Sequence, residues 1–150
     1  MTGELNGTLV LPDGVPVRPR GLGKPAPGGP EPEFGLYLGS RRMARKYEPG
    51  LRWERRWVRW PDFLLPTDWE GARREIVGLH ERAAAGVAAE VACYGGVGRT
   101  GTVLACLATM GGMGAEEAVG WVRERYERRA VETVWQRGWV RWFARGGSRG

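Results

Sequence analysis

Cys93 and Arg99 are separated by five residues in the stretch ACYGGVGRTGT, residues 92–102. A cysteine thiolate is a strong nucleophile. An arginine fork presents paired N–H donors to two phosphate oxygens. Between the two lie Tyr94, Gly95, Gly96, Val97 and Gly98, and Thr100 follows. Glycines allow backbone amides to approach an anion closely. Tyr94 to Gly98 with Arg99 therefore form a candidate phosphate-binding loop, Cys93 a candidate nucleophile, and Thr100 a hydroxyl donor to the thiolate. The same stretch also contains Gly-x-Gly-x-x-Gly at Gly96, Gly98 and Gly101, the pattern of dinucleotide sites. The chemistry is either attack on phosphorus or the cradling of a nucleotide.

Either reading needs a strand before the loop and a helix after it, so that unsatisfied helix amides face the anion. VAAEVA, residues 87–92, has the composition of a strand, and TGTVLACLATM, 100–110, reads as an apolar helix ending at Gly111–Gly112. Upstream, LVLPDGVPV predicts two short strands around a Pro-Asp-Gly turn. Residues 23–33 read as an irregular connection, FGLYLG (34–39) as a strand followed by a basic loop, and WVRW (57–60) as a short strand. Thr67-x-x-Glu70 has the pattern of a capping box, with Asp68 the alternative cap, for a helix carrying Ala72, Ile76 and Leu79 and ending near Gly86. Further helices are expected over about 115–129, with Tyr126 on the apolar face, and over about 133–145. In the last, Trp135, Trp139 and Trp142 recur at helical spacing and read as core. Strands alternating with helices predict an α/β fold: a short, mainly parallel central sheet flanked by helices, with the phosphate loop between a strand and a helix. One domain over 1–150 is expected, with a Pro/Gly-rich hairpin and connection over 1–33 and a catalytic core over 34–145.

The dinucleotide reading requires a second strand and an acidic residue about 20 positions on. That region here is GWVRERYE, which is helical in pattern. A nucleotide-triphosphate loop requires Gly-Lys-Ser/Thr, and Gly98-Arg99-Thr100 lacks the lysine. The nucleophile reading uses Cys93, Arg99 and Thr100 together.

The run Cys93-Tyr-Gly-Gly-Val-Gly-Arg99-Thr100-Gly101 resembles the signature loop of the cysteine-based protein tyrosine and dual-specificity phosphatases. These enzymes also carry Trp-Pro-Asp on a mobile loop upstream, and Trp60-Pro61-Asp62 stands 31 positions before Cys93. The resemblance spans roughly residues 34–143 and implies a phosphotyrosine phosphatase-like fold and a two-step displacement without metal or cofactor. In that scheme Cys93 forms a cysteinyl-phosphate, Asp62 is general acid and then base, and Arg99 with the loop amides holds the phosphoryl oxygens. Gln136 stands where such enzymes often carry a glutamine that positions water; a lone glutamine on a helix is otherwise an ordinary polar surface residue. One departure is Ala92, where the resemblance expects a histidine that helps hold the cysteine backbone. It implies activity rising further towards neutral pH. It also keeps open the alternative of a catalytically weak, phosphate-binding pseudophosphatase module.

A net charge of +6 and a pI near 10.0 favour anionic partners. A phosphorylated protein or another phosphomonoester is the expected substrate. Nucleic acid is the less favoured partner, because no recognition motif accompanies the charge. A rhodanese-like sulfurtransferase would need neither Trp-Pro-Asp nor the Arg-Thr-Gly ending. No lysine lies within the loop, which disfavours inositide substrates, while Arg45-Lys46-Tyr47 offers either an aromatic substrate contact or a structural tyrosine. The start of the chain has no long apolar stretch and no apolar run approaches a membrane span, so a cytoplasmic location is expected. Only two cysteines are present, too few for a disulfide framework. Cys106 reads as a small core residue and His80 as surface or structural.

Overall fold

The computed structural model describes residues 4–146. Five strands form one sheet in the order β1-β2-β5-β3-β4. They are β1 (Leu9–Val10), β2 (Pro16–Gly21), β3 (Phe34–Gly39), β4 (Glu54–Arg59) and β5 (Ala89–Cys93). Only the β1–β2 pairing is antiparallel; β2–β5, β5–β3 and β3–β4 are parallel. Five helices flank the sheet: α1 (Arg41–Tyr47), α2 (Trp69–Ala84), α3 (Gly98–Met110), α4 (Ala115–Arg125) and α5 (Val134–Ala144). The expected mainly parallel α/β architecture is the one observed. No helix among the described residues is long and apolar enough to cross a membrane.

The alternation of side chains along each strand divides the sheet into two unlike faces. Phe34, Leu36 and Leu38 of β3 and Val91 and Cys93 of β5 join residues of α2 to α5 in the main core. α3 is the centre of that core: every residue from Gly98 to Ala108 is buried. A helix apolar on all sides must be enclosed on all sides. The opposite face carries Tyr37 and Ala92 under Leu22 and Leu51, with Met43, Tyr47, Trp53 and Trp57 packed at its edge. Ala92, at the position where a histidine was expected, is fully buried there.

Several local expectations are corrected. The segment after Gly39 is not a loop but α1, because the Ser40 hydroxyl accepts from the Met43 amide and closes the first turn. β4 starts at Glu54, since the whole of β3 is available to pair with it in register. α2 is capped by Asp68, whose Oδ1 accepts from Gly71 N at 2.9 Å, and the Thr67 capping box does not form. The Thr67 amide instead donates to the Arg59 carbonyl. β5 covers 89–93 rather than 87–92, and α3 starts two residues before the expected Thr100. α4 ends at Arg125 because the Arg123 guanidinium reaches forward to the carbonyls of Ala130 and Val131 at 2.9 Å, turning the chain. Trp139 is buried, but Trp135 is about half exposed. His80 is structural, bonding Asp13 Oδ2 at 2.7 Å. Cys106 is a fully buried free thiol, and Cys93 is also free.

The thin face of the sheet holds a buried ion network. Glu90 on β5 is inaccessible and accepts from Arg18 at 2.7 Å, Arg20 at 2.8 Å and the Tyr37 hydroxyl at 2.5 Å. Burial, followed by the Glu90 charge, pushes the Tyr37 hydroxyl far up, so it stays protonated and donates. Removing one member of a buried ion pair strands the other charge. Glu90→Ala is therefore expected to cost on the order of 3–5 kcal/mol. A urea unfolding midpoint within error of wild type would refute this.

Candidate active site

β5 ends at Cys93 and α3 begins at Gly98, so the intervening loop runs from the C-terminal end of the sheet's central strand to the start of a helix. Cys93 is 2% exposed. Two donors point at its sulfur: the Gly96 amide at 3.2 Å and the Thr100 hydroxyl at 3.1 Å. α3 has no capping side chain at Val97, so the loop mouth retains the positive end of the helix dipole. Gly95, Gly96, Val97 and Gly98 form the cradle, with Tyr94 projecting to solvent at its rim.

Two neighbouring segments impose the loop's shape. The chain leaving β2 continues along it, with the Leu22 amide on the Cys93 carbonyl at 2.8 Å and the Gly23 amide on the Tyr94 carbonyl at 2.9 Å. Gly96 has φ +75°, and a Cβ there would lie 2.7 Å from the Gly21 nitrogen. Only glycine meets both demands. From the other side, the Tyr126 hydroxyl donates to the Gly96 carbonyl. Burial, then the charge of Cys93, pushes that hydroxyl well up, which keeps it a donor.

Arg99 is 4% exposed and reaches across to the Trp60-Pro61-Asp62 segment. Its Nη1 donates to the Trp60 carbonyl at 2.9 Å, and its Nη2 lies 3.4 Å from Asp62 Oδ1. Its Nε is buried without a partner among the described residues. A buried guanidinium N–H lacking an acceptor is costly unless the site serves an anion. Asp62 itself is largely exposed, and its Oδ1 accepts from the Phe63 amide at 3.0 Å.

The segment bearing Asp62 is anchored at three points. Trp60 is fully buried edge-on against Trp139, and its Nε1 donates to the Leu64 carbonyl at 2.8 Å. Trp135 Nε1 donates to the Phe63 carbonyl at 2.5 Å. Gln136 Nε2 also reaches the Leu64 carbonyl, at 3.4 Å. Gln136 is not a surface residue: it is fully buried, and its Oε1 accepts from the Glu132 amide at 2.9 Å. Its side-chain amide thus bridges the Asp62 segment to residue 132. Phe63 adopts φ +62°, a conformation unusual for an aromatic residue, which these contacts hold in place.

Glu132 is a site residue that sequence reasoning missed. A Cβ on Gly98 would lie 1.9 Å from Glu132 Oε1, so the carboxylate rests directly on the start of α3. Val131 has φ +61°, a strained value for a β-branched residue, clamped through its carbonyl by Arg123. No pattern of residue types announces that conformation. Partial burial, then the negative charge of Asp62, raises the Glu132 carboxyl above its ordinary value of 4.5, against the pull of Arg99 and Arg129. A carboxyl so raised opposes folding when ionised. That penalty is absent below the unfolded value and complete above the folded one. Glu132→Gln is therefore expected to be more stable than wild type at neutral pH, with the difference vanishing as pH falls through the range just above and down to 4.5. Melting temperatures across pH that show a constant difference would refute it.

Among solved structures, this chain is similar to Tk-PTP in its active form, at 24% identity and a TM-score of 0.66, covering 77% of this chain and 80% of that one. It is also similar to a kinase associated phosphatase whose catalytic-site cysteine is replaced by serine, at 15% identity and TM-score 0.75, covering 100% and 99%. A third similarity is to the core catalytic domain of the PP-IP phosphatase SIW14 from S. cerevisiae, at 10% identity and TM-score 0.54, covering 93% and 86%. Scans against family models and curated proteins found no match.

Proposed function

We propose that this chain, which has the fold of the cysteine-based protein tyrosine and dual-specificity phosphatases, is a phosphomonoester hydrolase of that type. The observation that carries the proposal is the convergence of two donors on Cys93 Sγ beside a buried Arg99 that meets Asp62. The Gly96 amide and the Thr100 hydroxyl are placed to donate hydrogen bonds to the sulfur as it attacks and as it departs.

In the first step the Cys93 thiolate attacks phosphorus, and the S–P bond forms as the ester P–O bond breaks. The Asp62 carboxyl gives its proton to the departing oxygen. The phosphoryl oxygens lie on the loop amides and Arg99, where preorganised donors stabilise the transferring group. In the second step water attacks phosphorus, the S–P bond breaks, and the water proton passes to the Asp62 carboxylate. Thr100 stabilises the thiolate as it departs. One ester and one water thus give one alcohol and one phosphate, and Cys93 and Asp62 return to their starting forms. Gln136 acts by bracing the Asp62 segment against Glu132.

The test is hydrolysis of p-nitrophenyl phosphate in the presence of chelator, followed by acid quench and mass analysis of the Cys93 peptide. Turnover with a phosphoryl adduct on Cys93 supports the reading. Binding of vanadate without turnover would identify a phosphate-binding module instead, and neither would overturn both. Asp62→Asn is expected to slow turnover of phenyl phosphate by about 10²–10⁴-fold, the usual scale of a lost general acid. The loss should be smaller with p-nitrophenyl phosphate, whose leaving group needs less protonation. An equal loss on both esters would argue that Asp62 orients Arg99 rather than transferring a proton.

A further inference from the structure

The cleft at Arg99 has a wall for which hydrolysis alone finds no use. It encloses about 280 Å³ and is lined by Arg99, Asp62 and Tyr94 together with Arg42, Met43, Lys46 and Tyr47 of α1. This wall is built rather than loose. Ser40 caps α1, and the Glu48 carboxylate just after it accepts from Arg55 and from Trp57 Nε1 on β4. Met43 lies across Gly39, where a Cβ would fall 2.4 Å from its sulfur. On the loop side, the exposed Tyr94 ring rests over Gly23, whose absent Cβ would fall 2.6 Å from it.

Arg42 and Lys46 stand one helical turn apart, where like charges repel. Both are exposed, and neither has a carboxylate partner among the described residues. Some surface arginines are paired, Arg52 with Glu31 and Arg141 with Glu116 among them, and others are not; what sets Arg42 and Lys46 apart is that they line the cleft that holds Arg99. Asp62, the one carboxylate lining this cleft, faces Arg99 instead. Two cations without a carboxylate partner therefore line the cleft together with Met43 and Tyr47, the Lys46 ammonium lying 5.5 Å from the Tyr47 ring centre.

We propose, on the basis of the phosphatase reading above, that the substrate carries a second anionic group beside the scissile phosphate, and that Arg42 and Lys46 bind it. With the phosphate in the loop, the ester's carbon skeleton crosses Met43 and Tyr47, and the second charge meets α1. Two sources share this chemistry: an acidic residue flanking a phosphorylated side chain, or a second phosphate on a small molecule.

The test compares kcat/KM within matched pairs on one enzyme preparation. One arm is a phosphotyrosine peptide flanked by glutamates against the same peptide flanked by glutamines. The other is a sugar bisphosphate against the corresponding monophosphate. The expected result is a preference of about threefold or more for the extra charge in one arm, the scale of solvent-exposed ion pairs. The arm that shows it identifies the source. Arg42→Gln/Lys46→Gln is expected to bring that ratio close to one, and added salt to shrink it. Because the readout is a ratio, partial loss of folded enzyme does not affect it. No preference in either arm, or a preference that survives the double substitution, overturns the subsite. If p-nitrophenyl phosphate itself is not hydrolysed, the phosphatase reading fails. The same pairs are then compared by binding to Cys93→Ser protein, where equal affinities overturn the subsite independently.

Discussion

Cys93→Ser is expected to abolish turnover of p-nitrophenyl phosphate, by about 10⁴-fold at least and up to about 10⁶, the range seen when an activated nucleophile is removed. The serine hydroxyl is far less acidic than a thiol, and no histidine or other base stands within the loop to take its proton. The Gly96 amide and Thr100 hydroxyl are arranged for a sulfur anion at 3.2 and 3.1 Å, longer than an alkoxide would require. Anion binding should survive, because the cradle amides and Arg99 are unchanged. Phosphate binding by calorimetry, read beside turnover, separates the two. A variant that loses phosphate binding along with turnover would show that the substitution disrupts the cradle. A variant that retains activity would remove Cys93 from the chemistry.

Arg99→Lys is expected to lower kcat/KM by about 10³–10⁵-fold, the scale of an arginine that stabilises a transferring phosphoryl group. The guanidinium does two things at once. One nitrogen donates to the Trp60 carbonyl, and the rest of the fork is free for Asp62 and for an anion in the loop. An ammonium is a point charge and cannot hold this geometry. The loss should therefore exceed that of Asp62→Asn with p-nitrophenyl phosphate, because in the proposed mechanism Arg99→Lys weakens the phosphoryl contacts as well as the tether of the Asp62 segment. A loss under tenfold would mean that the loop amides carry the charge unaided. Far-UV circular dichroism is expected to be unchanged, since the sheet order does not depend on this side chain.

The loop from Cys93 to Thr100 was legible because everything it needs is contiguous. A strand delivers the cysteine, glycines permit φ values such as +75° at Gly96, and the next residues start a helix. The strand at 34–39 was equally clear, since its six residues are buried on both faces and read as an unbroken apolar run. α1 was not, because four basic residues around Met43 and Ala44 look like a solvated loop until Ser40 is known to cap them. Trp135 was misread for a related reason. Helical spacing puts it near Trp139, but the adjoining surface of α5 is covered only by the Phe63 segment, whose carbonyl takes its indole proton.

Residue types and short spacings alone determined the parallel α/β class and the pairing of a cysteine with an arginine across a glycine loop, because hydrophobic period, glycine freedom and helix amides act over a few residues. The tertiary structure decided how distant side chains converge on that loop, and added Tyr126 and Glu132 to those the sequence had offered. Asp62 meets Arg99 across 37 positions only because Trp60 is locked against Trp139. Gln136 turns inward to the Leu64 carbonyl, Tyr126 reaches Gly96, and Glu132 settles on Gly98 through a strained Val131. Each of these contacts joins segments far apart in the chain, and two rest on backbone angles that local preference disfavours. Packing of the whole core supplies the energy that holds them, so no local stretch of sequence specifies them.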